Sequence, residues 1–149
     1  LVEPKKKNYL LYKHVTLFKP NFKELVEGLN LTHLEKTDHE QILKAARVMH
    51  KEQDIKWMMI TLSEAGLLIS NDAEYKKIPA KIRDISDVSG AGDTIISIAA
   101  AGMSAGLSPW IIAELANIGA GQVCEKAGVV PVNKFHLLEE SQKAIQLKS

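Results

Sequence analysis

An α/β domain with a mostly parallel sheet is the fold class this sequence predicts, on three observations. Strand-like and helix-like segments alternate along its 149 residues. Residues 57–62, Trp-Met-Met-Ile-Thr-Leu, form an apolar run of strand length, the pattern of a strand covered on both faces. A glycine-rich segment, Ser89-Gly90-Ala91-Gly92, leads directly into an apolar helical stretch.

Each element has its own local cause. Residues 15–18 read as a short strand ended by the turn Lys19-Pro20-Asn21, with a helix over 22–28 behind it. Thr37 followed by Glu40 has capping-box spacing and predicts a helix to about residue 53, with the apolar stripe Ile42, Ala45, Ala46 and Met49. After the 57–62 strand, residues 66–70 and 75–79 flank the turn signal Asn71-Asp72 and predict a β-hairpin. A helix over 93–105 follows, closed by Gly106. Ser108 as N-cap, with Pro109 in the first helical position, starts another helix to about residue 126, ended by Gly128. A short strand over 129–132 and a last helix from Lys134 complete the chain. No repeat, low-complexity tract or Gly/Ser linker interrupts this order, so residues 1–149 read as part of one domain. A chain of this length buries roughly two thirds of its unfolded surface.

Composition narrows the function classes. Apolar residues make up 46% and charged residues 25%, ordinary for a globular protein, and the net charge of +1 argues against a nucleic-acid partner. The one basic run, Lys5-Lys6-Lys7, reads as a solvated loop. The single cysteine, Cys124, rules out an internal disulfide, suits a reducing cytoplasm and lies where a buried structural thiol is expected. His14, His33, His39, His50 and His136 lack metal-ligand spacing and receive no role. Trp57 and Trp110 lie in apolar patterns and read as packing residues. No stretch reaches the ~18 apolar residues a bilayer span needs, so no membrane partner is expected, and no signal peptide is visible. The first residues, Leu-Val-Glu-Pro-Lys, lack an initiator Met and break off within an apolar pair, as expected inside a larger protein.

The chemistry concentrates at Ser89-Gly90-Ala91-Gly92-Asp93-Thr94. Two glycines around a small residue let backbone approach a ligand, and the helix behind aims its free N–H groups and dipole at the loop. That makes an anion site suited to phosphate. Asp93 there is either a first-turn carboxylate that stabilises the helix or a base beside a phosphate acceptor. A dinucleotide fingerprint fails because Ile95 occupies its third glycine position, and a P-loop fails because no lysine follows Gly92.

Asp87-Val88-Ser89-Gly90-Ala91-Gly92-Asp93-Thr94 resembles the D-x-x-G-A-G-D signature of the ribokinase-like (PfkB) carbohydrate kinases. Three further segments resemble that family in order and spacing: Asn21-Phe22-Lys23-Glu24 its N-x-x-E motif, Thr61 to Gly66 its T-x-G-x-x-G segment, and Ala116-Asn117 through Gly128 its adenine-side helix and loop. Ser63 departs from the usual glycine of the second motif. Within the family, Lys19-Pro20-Asn21, the Asp87 to Thr94 segment and the 125–130 region most resemble the heptose 7-phosphate kinases.

The resemblance implies a ribokinase-like, Rossmann-type three-layer domain with a short β-hairpin, of which this chain is the C-terminal half. It implies ATP-dependent transfer to a sugar or sugar-phosphate hydroxyl. The heptose branch implies D-glycero-D-manno-heptose 7-phosphate as acceptor, giving the 1,7-bisphosphate used in lipopolysaccharide core synthesis. Asp93 is then the base, and Gly90, Ala91 and Gly92 form the anion hole. Thr61, Ser63 and Gly66 line the nucleotide's phosphates and ribose, while Asn117 and Gly121 flank its base. Asn21 and Glu24 organise Mg²⁺ through water, and Asp87 and Ser89 offer oxygens to K⁺. Glu24 as a first-turn carboxylate, Asp87 as a turn residue and Asn117 as an incidental polar residue remain open readings. The implied partners are ATP, a sugar phosphate and the absent N-terminal half of the kinase, with a homodimer open, and the fragment alone is expected to be inactive. The alternatives are a kinase of another sugar or a nucleoside in the same family, or a non-catalytic nucleotide-binding module.

Overall fold

The computed structural model describes residues 1–81 and 87–146. The chain divides into two compact units, Leu1–Pro79 and Ala80–Ser149.

In the first unit a four-stranded sheet runs in the order β1 (Leu17–Phe18), β2 (Trp57–Thr61), β3 (Leu67–Ser70) and β4 (Tyr75–Ile78). β1 and β2 are parallel, with Leu17 opposite Trp57 and Phe18 opposite Met58. The return between them carries α1 (Phe22–Gly28) and α2 (His39–Glu52). β3 and β4 are each antiparallel to the strand before them, so the sheet is mixed rather than mostly parallel. The reason is connection length: only residues 62–66 separate β2 from β3, too few for a crossover helix. The predicted hairpin is β3–β4, with Asn71 Oδ1 accepting from the amides of Ala73 and Glu74 at 2.8 and 2.7 Å.

The core joins Phe18, Met58, Ile60 and Leu68 of the sheet to Leu25 of α1 and to Ile42, Ala45, Ala46 and Met49 of α2. Those α2 residues are the stripe read from periodicity. Alternate sheet residues Leu17, Met59, Leu67 and Ile69 are equally buried, as the continuous apolar run requires. The cap of α2 is Asp38, not Thr37: its carboxylate accepts from the Gln41 amide at 3.1 Å and from the Gln41 side chain at 2.6 Å. An aspartate one residue closer to the helix captures the first-turn N–H groups before the threonine can. His50, buried, ties the Ile55 carbonyl at 2.6 Å to the Ser70 hydroxyl at 3.2 Å.

Residues Lys6–Leu11 form a 3₁₀ helix rather than a loop, because Tyr9 packs into the core at 1% exposure and holds the turn in place. Lys5 and Lys7 remain exposed.

The second unit contains α3 (Ala91–Ser104), α4 (Pro109–Cys124) and α5 (Lys134–Gln146). α3 and α4 pack closely through glycine: a Cβ on Gly102 would come within 2.7 Å of Ile112, and one on Gly119 within 2.3 Å of Ile98. Gly106, at φ 72°, ends α3 as predicted, its amide bonded to the Met103 carbonyl and that of Leu107 to Gly102. The Ser108 hydroxyl caps α4 and Pro109 opens it, as read. α3 begins two residues before the expected Asp93, since Gly90 adopts the left-handed conformation that turns the chain straight into the helix. Residues 129–132 form no strand. No sheet edge in this unit offers them a ladder among the described residues.

Candidate active site

In the first unit the site grows from the C-terminal ends of two parallel strands, where α/β sheets place ligands. Asn21 leaves β1 and caps α1: its Oδ1 accepts from the Glu24 amide at 2.8 Å, and Glu24 Oε2 accepts from the Asn21 amide at 2.9 Å. The N-x-x-E pattern is thus a reciprocal capping box, which fixes the Glu24 rotamer. The other Glu24 oxygen lies 3.8 Å from the Lys5 ammonium. Asn21 pairs with Thr61 at the end of β2, whose amide donates to the Pro20 carbonyl at 3.1 Å. Asn21, Glu24 and Thr61 are therefore brought side by side. Ser63 and Gly66 lie on the tight turn immediately beyond Thr61, closed by bonds of 2.8 Å from Leu62 to Gly66 and 2.9 Å from Gly66 to Ser63. Ser63 stands at φ 54° and Gly66 at φ 89°, ψ −134°. Both positions demand left-sided dihedrals, which explains physically why glycine suits them.

In the second unit Asp87 anchors the glycine loop. Its Oδ1 accepts from the Ser89 amide at 2.9 Å and its Oδ2 from the Gly128 amide at 3.1 Å. Those bonds, the Ser89 N–H foremost, hold the carboxyl below the usual aspartate range. Gly90, at φ 82° and ψ −5°, then delivers the chain into α3. The Ala91 amide reaches the Val88 carbonyl at 3.3 Å, and the Thr94 amide closes the first turn on Gly90 at 2.9 Å. The amides of Gly92 and Asp93 have no acceptor among the described residues, as expected in a first helical turn. Gly90 carries no side chain to cap them, so the helix end is open to an anion.

Asp93, exposed at the third helical position, lies at the rim of a groove of about 390 Å³. One wall is the α3 face carrying Asp93, Thr94, Ser97 and Ala101, and the other is the 129–132 segment. Asn117 and Gly121 share a face of α4 but do not line this groove. Asn117 is 6% exposed, and a Cβ on Gly121 would come 2.7 Å from the Lys81 carbonyl oxygen. Cys124 is buried, and burial first, then the Asp87 charge, pushes its thiol up, so it stays protonated and inert. Lys5 as a neighbour of Glu24, the Gly128 amide as a partner of Asp87, and the 129–132 segment as a groove wall were not readable from the sequence. Asp87 and Gly128 are 41 residues apart, and no local pattern links them.

The fold and this geometry define a class first: the chain has the fold of the ribokinase-like sugar kinases. It superposes on phosphofructokinase-2 from Escherichia coli with a TM-score of 0.82 at 17% identity, covering 95% of this chain and 46% of that one. On ribokinase from Arabidopsis thaliana, solved with ribose and ATP, the TM-score is 0.76 at 21% identity, covering 95% of this chain and 44% of that one. Residues 3–134 match the pfkB family carbohydrate kinases, and the chain belongs to that family. The bifunctional protein HldE of Magnetococcus marinus is 37% identical over 134 residues, 89% of this chain and 27% of that protein. HldE of Syntrophotalea carbinolica is 37% identical over 142 residues, 93% of this chain and 28% of that protein. The chain thus spans just over a quarter of the length of these relatives.

Proposed function

We propose that this chain carries the catalytic base and phosphate cradle of a kinase that transfers the γ-phosphoryl group of ATP to a sugar-phosphate hydroxyl. Asp93 carries the reading: an exposed carboxylate in the first turn of a 14-residue helix, beside open amides and at the rim of a groove. Identity of 37% to HldE proteins supports D-glycero-D-manno-heptose 7-phosphate as the acceptor.

The acceptor oxygen attacks the γ-phosphorus while Asp93 takes its proton. The bond to the β–γ bridging oxygen breaks, and ADP leaves with that electron pair. In the anion hole of Gly90, Ala91 and Gly92, the open Gly92 amide, joined by that of Asp93, donates to the γ-phosphoryl oxygens as their charge redistributes, and the Ala91 amide joins them by exchanging its 3.3 Å bond to Val88. Thr61, Ser63 and Gly66 serve the phosphates and ribose, and Asn117 and Gly121 the adenine side. Asp87 and Ser89 supply oxygens for a monovalent cation.

The donor set at Asn21 and Glu24 fits Mg²⁺ held through water. The Asn21 oxygen and one Glu24 oxygen are engaged in the capping box, which leaves Glu24 Oε1, 3.8 Å from the Lys5 ammonium, as the carboxylate oxygen outside it. When bound, the ion would offset charge on the phosphate oxygens. Asp93→Asn, made in the longer protein with its sugar-binding half, is expected to leave nucleotide binding unchanged and to cut turnover by ~10²–10⁴-fold. Turnover within a few-fold of wild type removes Asp93 from the role of base.

A further inference from the structure

Lys5 combines a fixed backbone with a free head, at the end of the sheet that carries Asn21 and Thr61. Val2 joins the sheet edge as a parallel neighbour of Phe18: its amide donates to the Leu17 carbonyl at 2.9 Å, and its carbonyl accepts from the Lys19 amide at 2.8 Å. Phe18 in turn lies opposite Met58. Lys5, Asn21 and Thr61 each stand three residues beyond this row, so all three leave the sheet at the end where parallel strands place ligands. Two strand spacings, roughly 10 Å, separate the line of Val2 from β2. Buried Pro4 holds the chain before Lys5. Behind it, the Lys5 carbonyl accepts from the Asn8 amide at 3.0 Å in the 3₁₀ turn that buried Tyr9 anchors. The Lys5 side chain is 74% exposed, and its ammonium faces Glu24 Oε1 at 3.8 Å, beyond hydrogen-bond distance. Its three N–H groups thus remain to donate. The other lysines at this end are engaged. Lys19 pairs with Glu3, Lys36 donates to Glu64 at 3.2 Å, and Lys23 turns along α1 to Glu27.

We infer that Lys5 is a phosphate-binding residue of the nucleotide site, its ammonium leaving Glu24 to donate to the polyphosphate of ATP beside Asn21 and Thr61. This inference rests on the reading of Thr61, Ser63 and Gly66 as the side of the site that takes the nucleotide's phosphates. A compact charge on a flexible stem suits that task, because the head crosses to the phosphate while the anchored backbone stays in place. The exposed pair with Glu24 contributes little to stability, so the exchange costs the fold little.

The test uses the longer protein with its sugar-binding half, titrated with ATP and with adenosine in the presence of Mg²⁺. Lys5→Ala is expected to weaken ATP binding by about tenfold, the usual contribution of a hydrogen bond to a charged group. Adenosine binding and the thermal midpoint should not change, and the ATP affinity should become less sensitive to salt. Lys5→Arg, which keeps the charge, should bind ATP within a few-fold of wild type. Equal ATP affinity in Lys5→Ala and wild type overturns the inference and leaves the nucleotide site standing. An equal loss for ATP and adenosine also overturns it, since a structural role would lower both. A loss confined to D-glycero-D-manno-heptose 7-phosphate, with ATP affinity kept, assigns the lysine to the acceptor and overturns it as well. Wild-type protein that binds neither ATP nor adenosine removes the nucleotide reading itself, and the inference falls with it.

Discussion

Single residues in this chain show how a sequence pattern and a backbone requirement coincide. Ser63, the departure from the family's glycine, occupies the left-handed region at φ 54°, where a side chain crowds its own backbone. Ser63→Gly is therefore expected to stabilise the chain by about 0.5–1 kcal/mol in chemical denaturation, after the extra unfolded-state entropy of glycine is subtracted. A loss of stability would mean the Ser63 hydroxyl makes a contact worth more than the strain. Asp87 makes a second case. Its folded pKa lies below the unfolded value, so its contribution is present above about pH 4 and disappears as pH falls through the folded pKa. Asp87→Asn should flatten the acid limb of the thermal midpoint against pH. An unchanged acid limb would show that the bonds to Ser89 and Gly128 add nothing to stability.

The elements were legible where their signals are local. α1 with Asn21, the β3–β4 hairpin with Asn71, and α4 with Ser108-Pro109 each carry their cap or turn residue within three positions of the boundary. α2 shows the limit of that logic, since Thr37 and Asp38 are both good caps and the sequence alone does not choose between them. Asp38→Ala should cost about 1 kcal/mol in a urea titration, whereas Thr37→Ala should stay within about 0.5 kcal/mol of wild type. Equal losses would return the cap to Thr37. The 3₁₀ helix at Lys6–Leu11 was hidden for a different reason: burial of Tyr9 creates it, and its lysine run reads as solvated loop. The sense of β3 was hidden too, because an apolar strand reads alike in either direction.

For the whole molecule, membership of the carbohydrate kinase family and coverage of just over a quarter of its relatives stand together. No helix among the described residues is long and apolar enough to cross a membrane. If the sugar contacts of such a protein lie outside these residues, the 149 residues alone will show no sugar-dependent ATP consumption in a coupled assay, and adding the segment that carries those contacts will restore it. Robust turnover by the chain alone would place the acceptor site within these residues.

The family and the glycine turn into α3 were written in the sequence itself, because a glycine turn into a helix start is a local object that follows from consecutive residues. The tertiary structure decided which distant residues meet within each unit. In the second, Asp87 is pinned by Gly128; in the first, Asn21 sits beside Thr61 and Tyr9 packs on Gly28. These meetings join residues far apart in the chain, and packing and strand pairing, not neighbouring side chains, bring them together.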